Sequence, residues 1–183
     1  MKLRSIFFAL LLFCSSLGAQ VLVSIPALPT ENDSIVITFN AAEASNTSLV
    51  GYNRTIYTHT GVNTNLGTWQ HVIGSWGSTS QPTLTRIGTD LYELVIGYPR
   101  EFYSVTNQNE HITSINFVFR SDNGALQTED LFLPISQEGL NVAILEPSDN
   151  FLITWVEINE PVTIRAASSL ADTLSLFLND SLL

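Results

Sequence analysis

Ile56-Tyr-Thr-His-Thr-Gly-Val62 begins inside a run, Thr55 to Thr60, whose side chains alternate with a period of two, the period of a β-strand and not of a helix. Ile56, Thr58 and Thr60 share one face of such a strand, and Tyr57 and His59 share the other. If Ile56 points into a core, Tyr57 and His59 stand together on the outer surface. In the opposite register both fill the core with satisfied polar tips. A flexible loop is expected over Gly61 to Thr68, carrying Trp69 back towards them. Trp69-Gln-His-Val72 and Ser75-Trp-Gly77 follow, so that Tyr57, His59, His71, Trp69 and Trp76 crowd into one short span.

The neighbouring segments obey the same grammar. Ser34-Ile-Val-Ile-Thr-Phe39 places Ile35, Ile37 and Phe39 on one face, and Ile115-Asn-Phe-Val-Phe119 does the same with Ile115, Phe117 and Phe119. Leu91-Tyr-Glu-Leu-Val-Ile96 puts Tyr92 with Leu94 and Ile96, and Leu131-Phe-Leu133 closes the set. Turn chemistry separates them at Glu31-Asn-Asp33, Gly61 to Gly67, Gly88-Thr-Asp90, Tyr98-Pro99 and Asp122-Asn-Gly124. No sustained helical period occurs before residue 167. Short strands with regularly spaced turns predict an all-β, antiparallel β-sandwich over residues 20–138.

A second β unit is expected over 139–183. Leu140 to Leu145, Phe151 to Val156 and Val162 to Arg165 repeat the pattern of Val21 to Pro26 and Ser34 to Thr38. Residues 141–183 fall well short of the roughly 100 that a sandwich needs, so the expected unit is the start of a truncated second sandwich or a segment that packs on the first. Leu174, Leu176 and Leu178 alternate as a strand does.

The first nineteen residues have the form of an export signal. Lys2 and Arg4 precede the apolar run Ile6 to Phe13, and Ser16-Leu-Gly-Ala19 offers small residues for cleavage. A secreted or cell-surface location is expected, with no membrane span. Cys14 is the only cysteine, and Phe13 before it is bulky where lipidation signals carry a small residue. Loss of Lys2 and Arg4 with the signal takes the formal charge from −10 to −12. Such acidity disfavours nucleic acid and anionic lipid as partners and suits neutral ligands such as glycans.

Aromatic faces on a β-scaffold grip the axial C–H groups of pyranose rings, while polar groups such as His59 or Gln70 take the hydroxyls. The competing reading of the same rings is core packing. Several segments resemble the N-terminal module of secreted bacterial α-amylases of glycoside hydrolase family 13. They are Ile56 to Val62, Trp69 to Val72, Trp76-Gly77, Leu84 to Tyr92, Arg100-Glu-Phe-Tyr103 and Ile115 to Arg120, in one order over about residues 30–140. The resemblance implies an immunoglobulin-like sandwich, a second similar domain, and a catalytic barrel further downstream in a glycoside hydrolase parent. Tyr-x-His followed by Trp is also similar to starch-binding modules, which implies carbohydrate contacts for Tyr57, His59, Trp69 and Trp76. The Asp122 to Asp130 hairpin is shorter than is usual in that family.

Catalysis is not expected from this chain. Glycoside hydrolysis needs two carboxylates across a glycosidic bond, and Asp90, Glu93, Glu101, Asp122 and Asp130 lie in turns or on exposed strand faces. No nucleophile elbow, metal-binding helix or phosphate loop occurs. His59, His71 and His111 are too far apart for a zinc signature. Calcium at Asp122, Asn123, Glu129 and Asp130 competes with a plain hairpin turn, which is the favoured reading, so no cofactor is expected. Arg86 and Arg120 are expected to pair with acids across the sheet, and Phe102-Tyr103 to be a loop pair that plugs the core.

The expected function is therefore a non-catalytic N-terminal module that holds starch or another α-glucan near a catalytic domain. One alternative is a structural spacer that packs on the catalytic barrel and binds no sugar. Another is a stand-alone surface glycan-binding protein.

Overall fold

The computed structural model describes residues 20–147 and 161–182. The expected export signal with Cys14 and the expected strand Phe151 to Val156 lie outside the described residues.

Eight strands make an all-β sandwich. They are β1 (Leu22–Ile25), β2 (Ile35–Asn40), β3 (Tyr57–Thr64), β4 (Gly67–Gln70), β5 (Thr85–Arg86), β6 (Leu91–Gly97), β7 (Ile112–Arg120) and β8 (Leu131–Pro134). One sheet runs β1-β2-β6-β5 and the other β4-β3-β7-β8. Every strand pairing in the two sheets is antiparallel. In chain order the strands occupy positions A, B, C, C′, D, E, F and G of the immunoglobulin arrangement. Thr30 adds a parallel bridge to Ser136, tying the segment after β1 to the end of β8.

The apolar alternation decides what lies between the sheets. Ile35, Ile37 and Phe39 from β2 meet Ile115, Phe117 and Phe119 from β7, and all six are fully buried. Phe39 and Phe119 pack at 4.3 Å between ring centroids, joining the two strands that antibody domains link by a disulfide. Tyr92, Leu94 and Ile96 share the inward face of β6, as their spacing predicts. Burial of each such side chain contributes about 1.5–3 kcal/mol.

Two local readings change. Gly61 to Thr68 is not a flexible loop: β3 continues to Thr64, and Asn65-Leu66 turns it directly into β4. Gly61 marks a close approach, since a Cβ there would lie 2.8 Å from the Gln70 carbonyl oxygen. Phe102-Tyr103 closes a short helix α1 (Pro99–Phe102) started by Pro99 at its first position. Tyr103 is buried and Phe102 packs on the core, so the plugging role holds. Its hydroxyl lies 2.6 Å from Thr60 Oγ1, which donates to the Asn116 carbonyl.

After β8, β9 (Val142–Glu146) pairs with β10 (Arg165–Ser168), and β11 (Phe177–Leu178) with β12 (Ser181–Leu182). The expected strand around Leu174 to Leu178 is thus confined to its last two residues, because Leu174 and Leu176 have no ladder partners. Among the described residues no helix is long and apolar enough to cross a membrane.

Candidate functional site

The inward register of β3 is set by Ile56, Thr58 and Thr60, each buried, and it turns Tyr57 and His59 outward together. Across the ladder Tyr57 faces Arg120 and His59 faces Val118 on β7. The chain after β4 then runs along the free edge of β3. Ile73 N–H donates to Thr60 O, Thr58 N–H to Pro82 O, and Leu84 N–H to Ile56 O. Between these anchors residues 74–81 leave the sheet edge and fold over its outer face, carrying Trp76 across.

The rings form a row, not a flat plate. His59 stacks on Trp69 at 5.5 Å and 26°, and meets Trp76 edge-on at 4.9 Å and 78°. The Arg120 guanidinium lies 5.3 Å from the Tyr57 ring centroid and 5.8 Å from that of Trp76. The order is Tyr57, Arg120, Trp76, His59, Trp69. All four expected residues are therefore brought into one cluster, yet Tyr57 and Trp69 stand at opposite ends without stacking on each other. Trp76 is 51% exposed, whereas Tyr57, His59 and Trp69 are half-buried.

Trp69 holds an unusual backbone. Its φ of 49° is in the left-handed region, which bulky residues avoid. The register explains it: Val62 pairs with Gln70 and Thr64 with Gly67, so Thr68 and Trp69 together oppose Asn63 as a bulge. Asn63 Oδ1 accepts the Trp69 N–H at 2.9 Å and also a hydrogen bond from Asn116 Nδ2 at 2.6 Å. Asn116 is fully buried, and Ser114 Oγ donates to its Oδ1. Asn63 and Asn116 were not flagged by the sequence, although both sit at outward positions of their strands.

Arg120 corrects the expectation of an acid partner. It is 0% exposed and donates through all five of its N–H groups to neutral oxygens. Nε and one Nη2 hydrogen go to Gln81 Oε1, the other Nη2 hydrogen to Ser78 O, and the Nη1 pair to Ser121 O and Asp122 O. Two aromatic faces complete its surroundings, a cation–π arrangement that a buried guanidinium tolerates better than an ammonium. Arg86 likewise has no acid partner among the described residues: it donates to Gly88 O and lies 5.8 Å over Tyr92.

Gln81, 3% exposed, joins this centre to His59. Its Nε2 donates to Ile73 O at 3.1 Å and lies 2.8 Å from His59 Nδ1. Burial lowers the His59 pKa, and the positive charge of Arg120 lowers it further. Gln70, the other expected hydroxyl partner, is exposed and donates to Thr68 O. Beside Tyr57 a shallow cleft of about 170 Å³ is lined by Tyr52, Arg54, Thr55 and Asp122. A larger cleft of about 580 Å³ lies elsewhere, against β1 and β8, and is lined mainly by apolar side chains. It holds none of the clustered rings, so the outer face of β3 and β7 is the better site.

The expected oxygen ligands for calcium do not converge. Both Glu129 carboxylate oxygens accept backbone N–H groups, from Ser45 at 2.8 Å and Asn46 at 2.9 Å. Asp122 Oδ1 accepts the N–H of Asn123 within its own turn. Among the described residues no group of three or more His, Cys, Asp or Glu could hold a metal ion. His71 bonds Glu110 and His111 bonds Glu31, each at 3.0 Å.

Fold and site together define an immunoglobulin-like β-sandwich with an aromatic cluster on one outer face. The chain belongs to the family described as domain of unknown function (DUF8578), whose model matches residues 23–128. That span includes β2 to β7, all of β1 but Leu22, and every residue of the aromatic cluster. No curated protein matches the sequence.

Proposed function

We propose that this chain is an exported, non-catalytic module that binds an α-glucan across the outer face of β3 and β7. The exposed ring of Trp76, raised over the sheet beside His59 and Trp69, carries this reading. Residues 74–81 expose a large apolar ring that inward packing would have hidden, and the left-handed Trp69 shows backbone strain next to it. Apolar ring surface beside an imidazole is the chemistry that C–H faces and hydroxyls of a sugar require. The resemblance to the amylase module supplies the rest of the proposal: a glycoside hydrolase parent, in which the module raises the local concentration of substrate.

Calorimetric titration of the chain with maltoheptaose tests the proposal. Trp76→Ala is expected to weaken binding about ten-fold or more while the thermal transition barely moves, because an exposed ring contributes little to folding. The spacer reading draws on the half-buried state of Tyr57 and its contact with Arg120. It is favoured instead if the native chain binds no glucan and Trp76→Ala lowers stability by several kcal/mol.

A further inference from the structure

The hydrogen bonds around Gln81 settle a matter that ring positions alone leave open. Arg120 has only donors, so the Gln81 atom facing it must be the amide oxygen. Ile73 O has only lone pairs, so the atom facing it must be the amide nitrogen. The amide therefore has one orientation, and its nitrogen also faces His59 Nδ1 at 2.8 Å. A nitrogen that receives an N–H cannot carry a proton of its own. His59 is then neutral, with its proton on Nε2.

We infer that Arg120 and Gln81 are positioning residues that hold His59 as the Nε2–H tautomer, a fixed hydrogen-bond donor between Trp69 and Trp76 for an acceptor oxygen of the bound ligand. Nε2 has no hydrogen-bond partner among the described residues, while the ring itself is clamped by the Trp69 face and the Trp76 edge. The sugar identity of the ligand rests on the function proposed above; the tautomer does not. Protonation of Nδ1 would set an N–H against the Gln81 amide hydrogens and break the link that ties residues 74–81 to β3. The charged groups acting on this ring are Arg120 from β7, which opposes protonation, and Asp130 from the segment before β8, which favours it. Loss of the Gln81 contact is thus coupled to the same event that adds a second positive charge beside Arg120.

Gln81→Glu reverses the logic without removing the Arg120 contact. A carboxylate accepts from Arg120 and accepts again from His59, so the Nδ1–H form or the imidazolium is favoured. Long-range ¹H–¹⁵N spectra of the full chain distinguish the forms, with His59→Gln assigning the signals against those of His71 and His111. The native chain at about pH 7.5 is expected to show His59 as Nε2–H, titrating below the ordinary value of about 6.5. Gln81→Glu is expected to show Nδ1 protonated and a higher midpoint. Maltoheptaose affinity, measured in parallel at about pH 7.5, is expected to fall about five- to ten-fold in His59→Phe, which keeps a ring between the two tryptophans and removes the Nε2–H donor. An Nδ1–H tautomer in the native chain, or an unchanged midpoint in Gln81→Glu, overturns the inference. An unchanged affinity in His59→Phe removes the donor role toward ligand. An Nε2–H signature in a chain that binds no glucan at any pH counts against the glucan reading and leaves the positioning chain intact.

Discussion

Thr58 and Arg120 occupy the two faces of one strand pair and meet opposite fates as buried polar groups. Thr58 Oγ1 is buried in the sandwich and has no hydrogen-bond partner among the described residues. Valine has the same shape and no hydroxyl to desolvate, so Thr58→Val is expected to stabilise the fold by about 1 kcal/mol in urea denaturation. A loss of stability there would mean that the hydroxyl is bonded in solution. Arg120 is the reverse case, a buried charge with every donor used. Lysine offers three donors and no planar face for Tyr57 and Trp76, so Arg120→Lys is expected to cost about 3 kcal/mol by the same measurement. The sequence marks Thr58 only as an inward strand position and Arg120 as a partner for an acid. Their difference arises because Gln81 and the Ser78 carbonyl come from a distant segment that only the fold brings to Arg120, where the carbonyls of the adjoining Ser121 and Asp122 complete the set.

At the scale of elements, the β3–β4 hairpin and the excursion that follows it govern the site. The strand nature of Tyr57 to Thr60 was legible from alternation, and so was the placing of Tyr57 with His59 on one face; the continuation of β3 to Thr64 was not. The bulge that turns Trp69 was not, since it depends on Asn63 and Asn116 meeting across neighbouring strands. Gly61 is where this arrangement is most exposed to substitution. A Cβ would meet backbone at Gln70 and the side chain of Val72, neither of which has a flexible end to swing aside cheaply. Gly61→Ala is therefore expected to cost about 1–3 kcal/mol, and to speed hydrogen exchange at the Ile73 N–H, which bonds Thr60 O across this edge. Unchanged exchange at Ile73 would show that residues 70–73 do not depend on the absent side chain.

For the whole molecule, acid stability follows from three groups. Burial alone would raise the carboxyls of Glu31 and Glu129, but hydrogen bonds overcome it and hold both below 4.5. Glu31 receives His111, the Ile112 N–H and Arg100, which ties the segment before β2 to the start of β7 and the end of α1. Their unfolded forms take up protons first, so this stability is present above about pH 4.5 and is lost as pH falls through the folded values. His59 acts at higher pH with the same sign. Its folded pKa is depressed, so the unfolded chain binds the proton first and stability declines as pH drops below about 6.5. Urea denaturation from pH 8 to 3 is expected to show two stages of decline, with His59→Gln abolishing the upper one. A single stage in the native chain would contradict the His59 assignment.

The sequence by itself determined the long core strands, their inward faces and the sandwich, but not β4 or β5, because a period of two over several residues and the turn residues between strands are local properties of the chain. It also brought Tyr57, His59, Trp69 and Trp76 forward as a group, through their crowding into one span. Only the tertiary structure decided that these rings stand in a row around a buried arginine and that one glutamine orients His59. Those outcomes depend on hydrogen bonds between residues tens of positions apart, whose partners no local pattern names.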